Sequence, residues 1–245
     1  MGKIKIYSVL FILMAGSLAC RKTVGLLTGT SSLTIVNAVN GSNPLVTDFA
    51  ALNGKGVIEA TLQYFSTANE IPYMSFWQSG SYIGPTSLSL CQISDTLAFL
   101  WSGTLTLPVG SLHTLYLCGD TSHIDTAFEI DMIPYYPNSD SVAGVRFINL
   151  TSGSQPMSVN IQGNPPTQTE FSNLSYKQPA NFKTYIANSN APGFYNFEIR
   201  DIATDSLLTT YTWNYTLFEN QTIVIAGSEN SNSNYPIIAF TVNNY

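Results

Sequence analysis

Apolar and polar residues alternate with a period of two along much of this chain, and that pattern predicts β-strands. Residues 105–107, 128–132, 197–199 and 211–215 each place apolar side chains on one face and polar side chains on the other. Stretches rich in Gly, Pro, Asn and Ser separate these segments and are typical of turns. No segment after the first twenty residues sustains a 3.6-residue apolar stripe. The pattern therefore predicts an all-β protein.

The chain contains an internal repeat. Residues 33–38 match residues 145–150, so that Asn149 follows Asn37 by 112 residues. Residues 114–119 match residues 222–227 at a spacing of 108 residues. Two matches in the same order and at similar spacings indicate a duplication. Solenoid repeats have periods of about 20–50 residues, so this longer period indicates tandem domains.

Each copy has the size of an immunoglobulin-like sandwich, which packs about seven strands into about 100 residues. The sequence predicts two tandem immunoglobulin-like antiparallel β-sandwiches, with domain 1 over residues 32–133, a linker over 134–142 and domain 2 over 143–245. Because the linker is short, we expect the two sandwiches to stack end to end.

Residues 1–19 have the order of a bacterial secretory signal: a basic start, an apolar run and small residues that lead to a cysteine. Such a signal predicts cleavage before Cys20, a lipid on its sulfur and a tether over residues 20–31. Lipoprotein signals favour Leu at the position of Ser17, and the alternative is an ordinary secretory signal that ends near Ala19. We expect an outer-membrane lipoprotein of the cell envelope, on either the periplasmic or the surface face.

The second copy resembles the family called domain of unknown function 4397. The resemblance rests on four strand and turn segments, residues 144–150, 171–176, 195–197 and 222–227. The first copy matches more loosely, with Thr34 in place of Arg146 and Ile35 in place of Phe147. The resemblance implies tandem β-sandwich envelope lipoproteins of Bacteroidota, and the family supplies no catalytic residues.

The composition limits the partners. The formal net charge is −6, and only 10% of residues are charged, compared with about 25% in an average soluble protein. Without a basic cluster, the chain has no electrostatic footprint for nucleic acid. We expect a membrane partner through the lipid on Cys20, together with a glycan or an envelope protein.

Residues with catalytic or metal-binding chemistry are scarce. The chain has two histidines, His113 and His123, too few for a structural zinc site without well-spaced sulfur ligands. The carboxylates Asp201 and Asp205 flank a predicted hairpin turn, in which acidic residues are common. We therefore predict no catalytic residues, no metal and no cofactor.

Two cysteines follow Cys20, namely Cys91 and Cys118. Export to an oxidising compartment favours a disulfide between them, and two buried free thiols are the alternative.

An aromatic stretch is the candidate ligand-binding surface. Residues 73–82 mix bulky rings with small polar residues, as loops that stack on sugars or bind proteins do. The candidate rings are Tyr73, Phe76, Trp77 and Tyr82. Core strands use the same residues, so a core role is the alternative.

Four tripeptides place Ser or Thr between Asp and an apolar residue. This pattern resembles an O-glycosylation signal of exported proteins in Bacteroidota, the phylum that the family resemblance implies. The candidate acceptors are Thr96, Thr126, Ser141 and Ser206. Ser141 is the preferred site because it lies in the predicted linker. The alternative is that Asp-Ser and Asp-Thr simply mark turns.

The working hypothesis is a lipid-anchored, non-enzymatic binding or spacer module of the cell envelope with an unidentified ligand. A carbohydrate-binding lipoprotein is the first alternative, and an envelope glycan-processing hydrolase is the second. A deep pocket with convergent polar groups favours an enzyme, whereas an exposed aromatic patch favours a binding protein.

Overall fold

The computed structural model describes residues 29–49, 70–81, 83–165, 168–230 and 233–244. Residues 1–19, Cys20 and Tyr82 therefore lie outside the described residues. The described chain forms fifteen strands and no helix. The first half contains β1 Ser31–Asn37, β2 Leu45–Asp48, β3 Ser75–Ser81, β4 Gly84–Gln92, β5 Asp95–Leu107, β6 Leu112–Asp120 and β7 His123–Ile130. The second half contains β8 Val142–Asn149, β9 Met157–Ile161, β10 Phe171–Leu174, β11 Lys183–Ile186, β12 Tyr195–Asp201, β13 Leu207–Trp213, β14 Asn220–Ala226 and β15 Ile238–Asn243.

Each half is built from two sheets. We call the sheet that faces the other half the inner sheet and the remaining one the outer sheet. The first inner sheet has the order β3-β1-β6-β7, and the first outer sheet has the order β2-β4-β5. The second inner sheet has the order β11-β8-β14-β15, and the second outer sheet has the order β10-β9-β12-β13. Each half encloses its own apolar core between its two sheets. The predicted all-β fold with packed sandwiches is confirmed.

The expectation of purely antiparallel sheets is correct for the two outer sheets and wrong for the two inner sheets. In each inner sheet the first strand of the half pairs in parallel with the penultimate one: β1 with β6, and β8 with β14. Of the strands between them, all but β3 and β11 belong to the opposite sheet, so each pair is joined by a long crossover rather than by a hairpin. Alternation along one strand cannot reveal this pairing.

A buried asparagine ends the first strand of each half in the same way. The side-chain oxygen of Asn37 accepts from the amide of Val39 at 3.1 Å, and its nitrogen donates to the carbonyl of Ile71 at 3.0 Å. Asn149 accepts from the amide of Thr151 at 2.9 Å and donates to the carbonyl of Leu174 at 3.3 Å. Both side chains are fully buried, so these bonds satisfy main-chain groups that water cannot reach.

The two halves pack face to face through their inner sheets, which corrects the expected end-to-end stacking. The inner sheets carry a third apolar cluster on the faces that meet. It includes Val36, Tyr116 and Cys118 from the first half, and Ile148, Leu150, Val224 and Val242 from the second half. The central strands of both inner sheets, β1, β6, β8 and β14, are buried on both faces, which explains their nearly continuous runs of buried residues. The order of layers is outer, inner, inner, outer.

Candidate functional site

A buried polar network crosses the seam between the inner sheets. Arg146 on β8 forms an ion pair with Asp131, which follows β7, and both side chains are at least nine-tenths buried. The Arg146 Nε atom donates to the hydroxyl of Thr222 at 2.9 Å, and its Nη2 atom lies 3.4 Å from the hydroxyl oxygen of Tyr116. Burial raises the pKa of Tyr116 to about 12, although the Arg146 charge acts in the opposite direction.

The network joins equivalent elements of the two halves. The hydroxyl of Thr114 on β6 donates to Asp131 at 2.6 Å, and the hydroxyl of Thr222 on β14 donates to Asn244. The main-chain amides of Asp131 and Asn244 also make corresponding bonds to the first residues of β6 and β14. Arg146 contacts one member of each pair, Asp131 in the first half and Thr222 in the second, so a single side chain joins the two corresponding pairs.

A cleft of about 620 Å³ opens beside this network. Its walls are β7, the segment after it and the loop before β11, and its lining includes Glu129, Ile130, Met132, Pro134, Arg146, Gln178, Asn181 and Phe182. The Arg146 guanidinium lies over the Phe182 ring, with 4.7 Å between the guanidinium carbon and the ring centroid. Among the described residues, the Nη1 atom of Arg146 has no hydrogen-bond partner.

The charges of the cleft favour a neutral ligand. Asp131 already balances the charge of Arg146. Burial raises the pKa of Glu129, although Arg146 acts in the opposite direction. The cleft therefore offers the Arg146 Nη1 donor, the Glu129 carboxyl group and the Gln178 and Asn181 amides beside an apolar rim. Such a set forms hydrogen bonds to a polar, uncharged molecule that also has an apolar face.

The structure does not bring the predicted ligand-binding aromatic residues onto one surface. Phe76 packs against the core between the halves, and its neighbour Trp77 packs against the core of the first half. The Tyr73 hydroxyl donates to Asn40 at 2.8 Å, and its ring packs edge-on against Tyr235 of the second half. These contacts match the core alternative, and a ligand role for the three rings stays a prediction.

The predicted disulfide is absent. Cys91 and Cys118 are buried free thiols. Cys91 lies in the first outer sheet, whereas Cys118 belongs to the core between the halves, with its sulfur 3.2 Å from the Tyr176 hydroxyl oxygen. Burial raises the pKa of the Cys91 thiol and raises that of Cys118 to about 11. Sequence spacing could not show that the two thiols belong to different layers.

The histidines and carboxylates form no metal cluster in the part of the chain that the structure describes. His113 is buried on β6, and His123 is exposed at the start of β7. Asp201 accepts from the amide and the hydroxyl of Thr204, which is the geometry of a turn, and Asp205 is the next turn residue, with a φ of 55°. The hydrogen bonds from Thr204 hold the pKa of Asp201 below its usual value.

The candidate glycosylation residues differ in exposure. Ser206 is exposed in the turn between β12 and β13, whereas Thr96, Thr126 and Ser141 are half-buried. Ser141, the preferred site from sequence, has a φ of 49° and accepts a main-chain bond from Ala187 at 2.9 Å. Ser206 is therefore the most accessible of the four.

The sequence reasoning missed Asp131, Glu129 and Asn181 as members of a common site. The one signal was Arg146, which stands where the first copy has Thr34. An arginine within a buried apolar strand indicates a buried partner, since such charges are paired. The position of that partner, in the other half, depends on the packing of the halves.

No protein-family model matches this chain, and a comparison with curated proteins found no match. None of the described residues forms a helix long and apolar enough to cross a membrane. The resemblance to domain of unknown function 4397 remains an expectation from the quoted residues.

Proposed function

We propose that this protein is a lipid-anchored, non-enzymatic module of the cell envelope that acts as a stiff spacer or binding unit. The observation that carries the proposal is the seam between the halves. Apolar side chains from both inner sheets and the Arg146–Asp131 ion pair hold two sandwiches as one block. In this proposal the predicted signal directs the protein to the cell envelope, and Cys20 carries the lipid anchor.

A stiff spacer requires that the two outer sheets keep a fixed separation. Adjacent sheets pack about 10 Å apart, so four layers place the two outer sheets about 30 Å apart. Spin labels at exposed positions of the outer sheets, Thr104→Cys on β5 and Thr210→Cys on β13, measure this separation. We expect one narrow distance distribution, and a broad distribution would contradict the stiff block.

The anchor is tested separately by changing Cys20→Ala. The wild-type protein should remain with the membrane fraction after a high-salt wash, and the variant should be released. A variant that stays with the membrane would show that lipid on Cys20 is not the anchor. Neither result depends on the distance between the spin labels, so the two parts of the proposal can fail independently.

A second candidate function is carbohydrate binding, which the chemistry of the cleft favours. Sugars are neutral, rich in hydroxyl groups and apolar on one ring face, which matches the donors, acceptors and rim around Arg146. A glycan array should give binding that Asn181→Ala and Glu129→Gln reduce at least tenfold, while exposed Asn190→Ala serves as the control. Equal binding by all variants would exclude the cleft. A hydrolase at the envelope remains the more distant alternative.

A further inference from the structure

The first described residues show where the preceding chain enters the molecule. The amide of Gly110 donates to the carbonyl of Thr30 at 2.9 Å. A side-chain carbon of Val109 lies 2.8 Å from the position that a Cβ on Gly29 would occupy. Gly29 therefore lies against the turn before β6, at the end of the first inner sheet where β1 and β6 begin. We name this the tether end.

The second half contributes its own strand starts to the same end. Asp131, whose amide bonds to the first residue of β6, is paired with Arg146 on β8, which lies opposite Thr222, the third residue of β14. The carbonyl of Pro134 accepts from the side chain of Asn220, the first residue of β14, at 2.9 Å. The starts of β1, β6, β8 and β14 thus lie at one end of the block, and the linker crosses it.

Large apolar side chains are exposed at the tether end. Val109, Ile130, Met132 and Tyr135 are 63%, 60%, 80% and 86% exposed. Neighbouring strands lie about 4.8 Å apart, so Met132, beside β6, is about 10 Å from the start of β1. Ile186, which pairs with the first residue of β8, is also exposed. Exposed apolar groups concentrated in this way mark an interaction surface.

The opposite end of the block has a different character. The turns there carry the exposed carboxylates of Asp95, Asp120, Asp205 and Glu229, together with the buried Asp201. Its exposed apolar residues include Leu97, Ile202, Leu207 and Ile238, and the first three lie within two residues of an acid in the sequence. The tether end has one exposed acid, Asp140 on the linker, and two half-buried acids, Glu129 and Glu219. An anionic membrane would therefore be repelled more strongly by the opposite end.

We propose that the tether end rests on the lipid bilayer, with Val109, Ile130, Met132 and Tyr135 at the head-group level. The inference rests on the proposed anchor at Cys20. Eight residues lie between Cys20 and Gly29, and at full extension the two residues are at most about 30 Å apart. The anchor therefore keeps this end near the membrane, where tyrosine and apolar side chains are favoured.

The test uses the full lipidated chain in vesicles of phosphatidylethanolamine and phosphatidylglycerol. An environment-sensitive fluorophore is attached to Met132→Cys at the tether end or to Thr121→Cys at the opposite end. Both native positions are exposed, whereas Cys91 and Cys118 are buried and stay unlabelled. Brominated lipids should quench most of the emission from position 132 and leave that from position 121 unchanged.

Each outcome separates the bilayer contact from the anchor. If the labelled protein sediments with the vesicles and position 132 is not quenched, or both positions are quenched equally, the orientation is wrong. If the protein does not sediment with the vesicles, the anchor is wrong and the orientation falls with it. Replacing Ile130 and Tyr135 by Asp should restore most of the emission at position 132 without releasing the protein, because the lipid remains.

Discussion

The two halves share the order of seven strands, to which the second half adds β10, but they close one side of the sandwich differently. In the second half, the indole N–H of Trp213 donates to the side-chain oxygen of Gln221, whose nitrogen donates to Asn243 at 2.9 Å. This link joins β13 of the outer sheet to β14 and β15 of the inner sheet. The hydroxyls of Tyr211 and Thr241 form a further bond between β13 and β15.

The first half has Leu105, His113 and Ile130 at the positions that correspond in the strand pairing. His113 is 3% exposed, and neither ring nitrogen has a hydrogen bond of ordinary geometry within the described residues. Its ring stacks on Phe128 at 4.9 Å, and Ile130 remains exposed. A glutamine amide can donate and accept at once, so Gln221 links the outer sheet to the inner sheet in the second half, whereas His113 forms no such link in the first half.

The largest expected effect comes from breaking the residue that joins the halves. Arg146→Ala leaves Asp131 buried without its partner and should reduce the free energy of unfolding by about 3–5 kcal/mol. Chemical denaturation measures this loss. The pair of exposed Lys183 with half-buried Glu170 is the control, since Lys183→Ala should cost about 0–1 kcal/mol. Similar losses from the two changes would contradict a structural role for the seam.

The buried asparagines Asn37 and Asn149 have the same hydrogen-bond geometry in the two halves. Replacing each one tests whether that geometry contributes equally to stability. Asn37→Ala and Asn149→Ala each leave a buried main-chain donor and acceptor unpaired, so each should cost about 1–3 kcal/mol. Denaturation curves of both variants and of the exposed control Asn190→Ala give the comparison. A large effect in one half alone would show that the repeated geometry does not carry equal energy.

Exchanging residues between the halves tests why the outer and inner sheets are linked by hydrogen bonds through Gln221 in the second half and not at the corresponding position in the first half. Gln221→His removes the acceptor of the buried Trp213 N–H and should cost about 1–3 kcal/mol. The double change His113→Gln and Ile130→Asn should stabilise the first half by at most about 1 kcal/mol, because it supplies the amide pair of the second half while Leu105 offers no indole donor. Thermal denaturation measures both changes, and destabilisation by the double change would refute the proposed equivalence.

The smallest expected effect is a pH dependence confined to the first half. Burial holds the pKa of His113 below its usual 6.5. The unfolded chain therefore takes up a proton first as the pH falls, so this contribution to stability is complete above pH 6.5 and declines below it. His113→Gln should flatten the stability curve below pH 6.5, whereas exposed His123→Gln should leave it unchanged. Parallel curves for all three proteins would exclude His113 as the cause.

The sequence was sufficient for the features that depend on local alternation and on spacing. Period-two segments predicted strands, and the structure is all-β. The matched segments at spacings of 112 and 108 residues became strands with the same pairing in each half, from Asn37 and Asn149 to Gly119 and Gly227. The two glycines have positive φ and main-chain atoms 2.3 Å from a hypothetical Cβ, which explains why glycine recurs there.

The sequence alone could not decide which faces meet. Apolar residues on both faces of β1, β6, β8 and β14 show that something covers them, but a sheet, a partner or another domain would leave the same pattern. Tertiary structure pairs the inner sheets with each other, places Cys118 away from Cys91 and brings Arg146 to Asp131. Side-chain alternation records burial and not the identity of the covering surface. The seam, the cleft and the tether end therefore follow from packing.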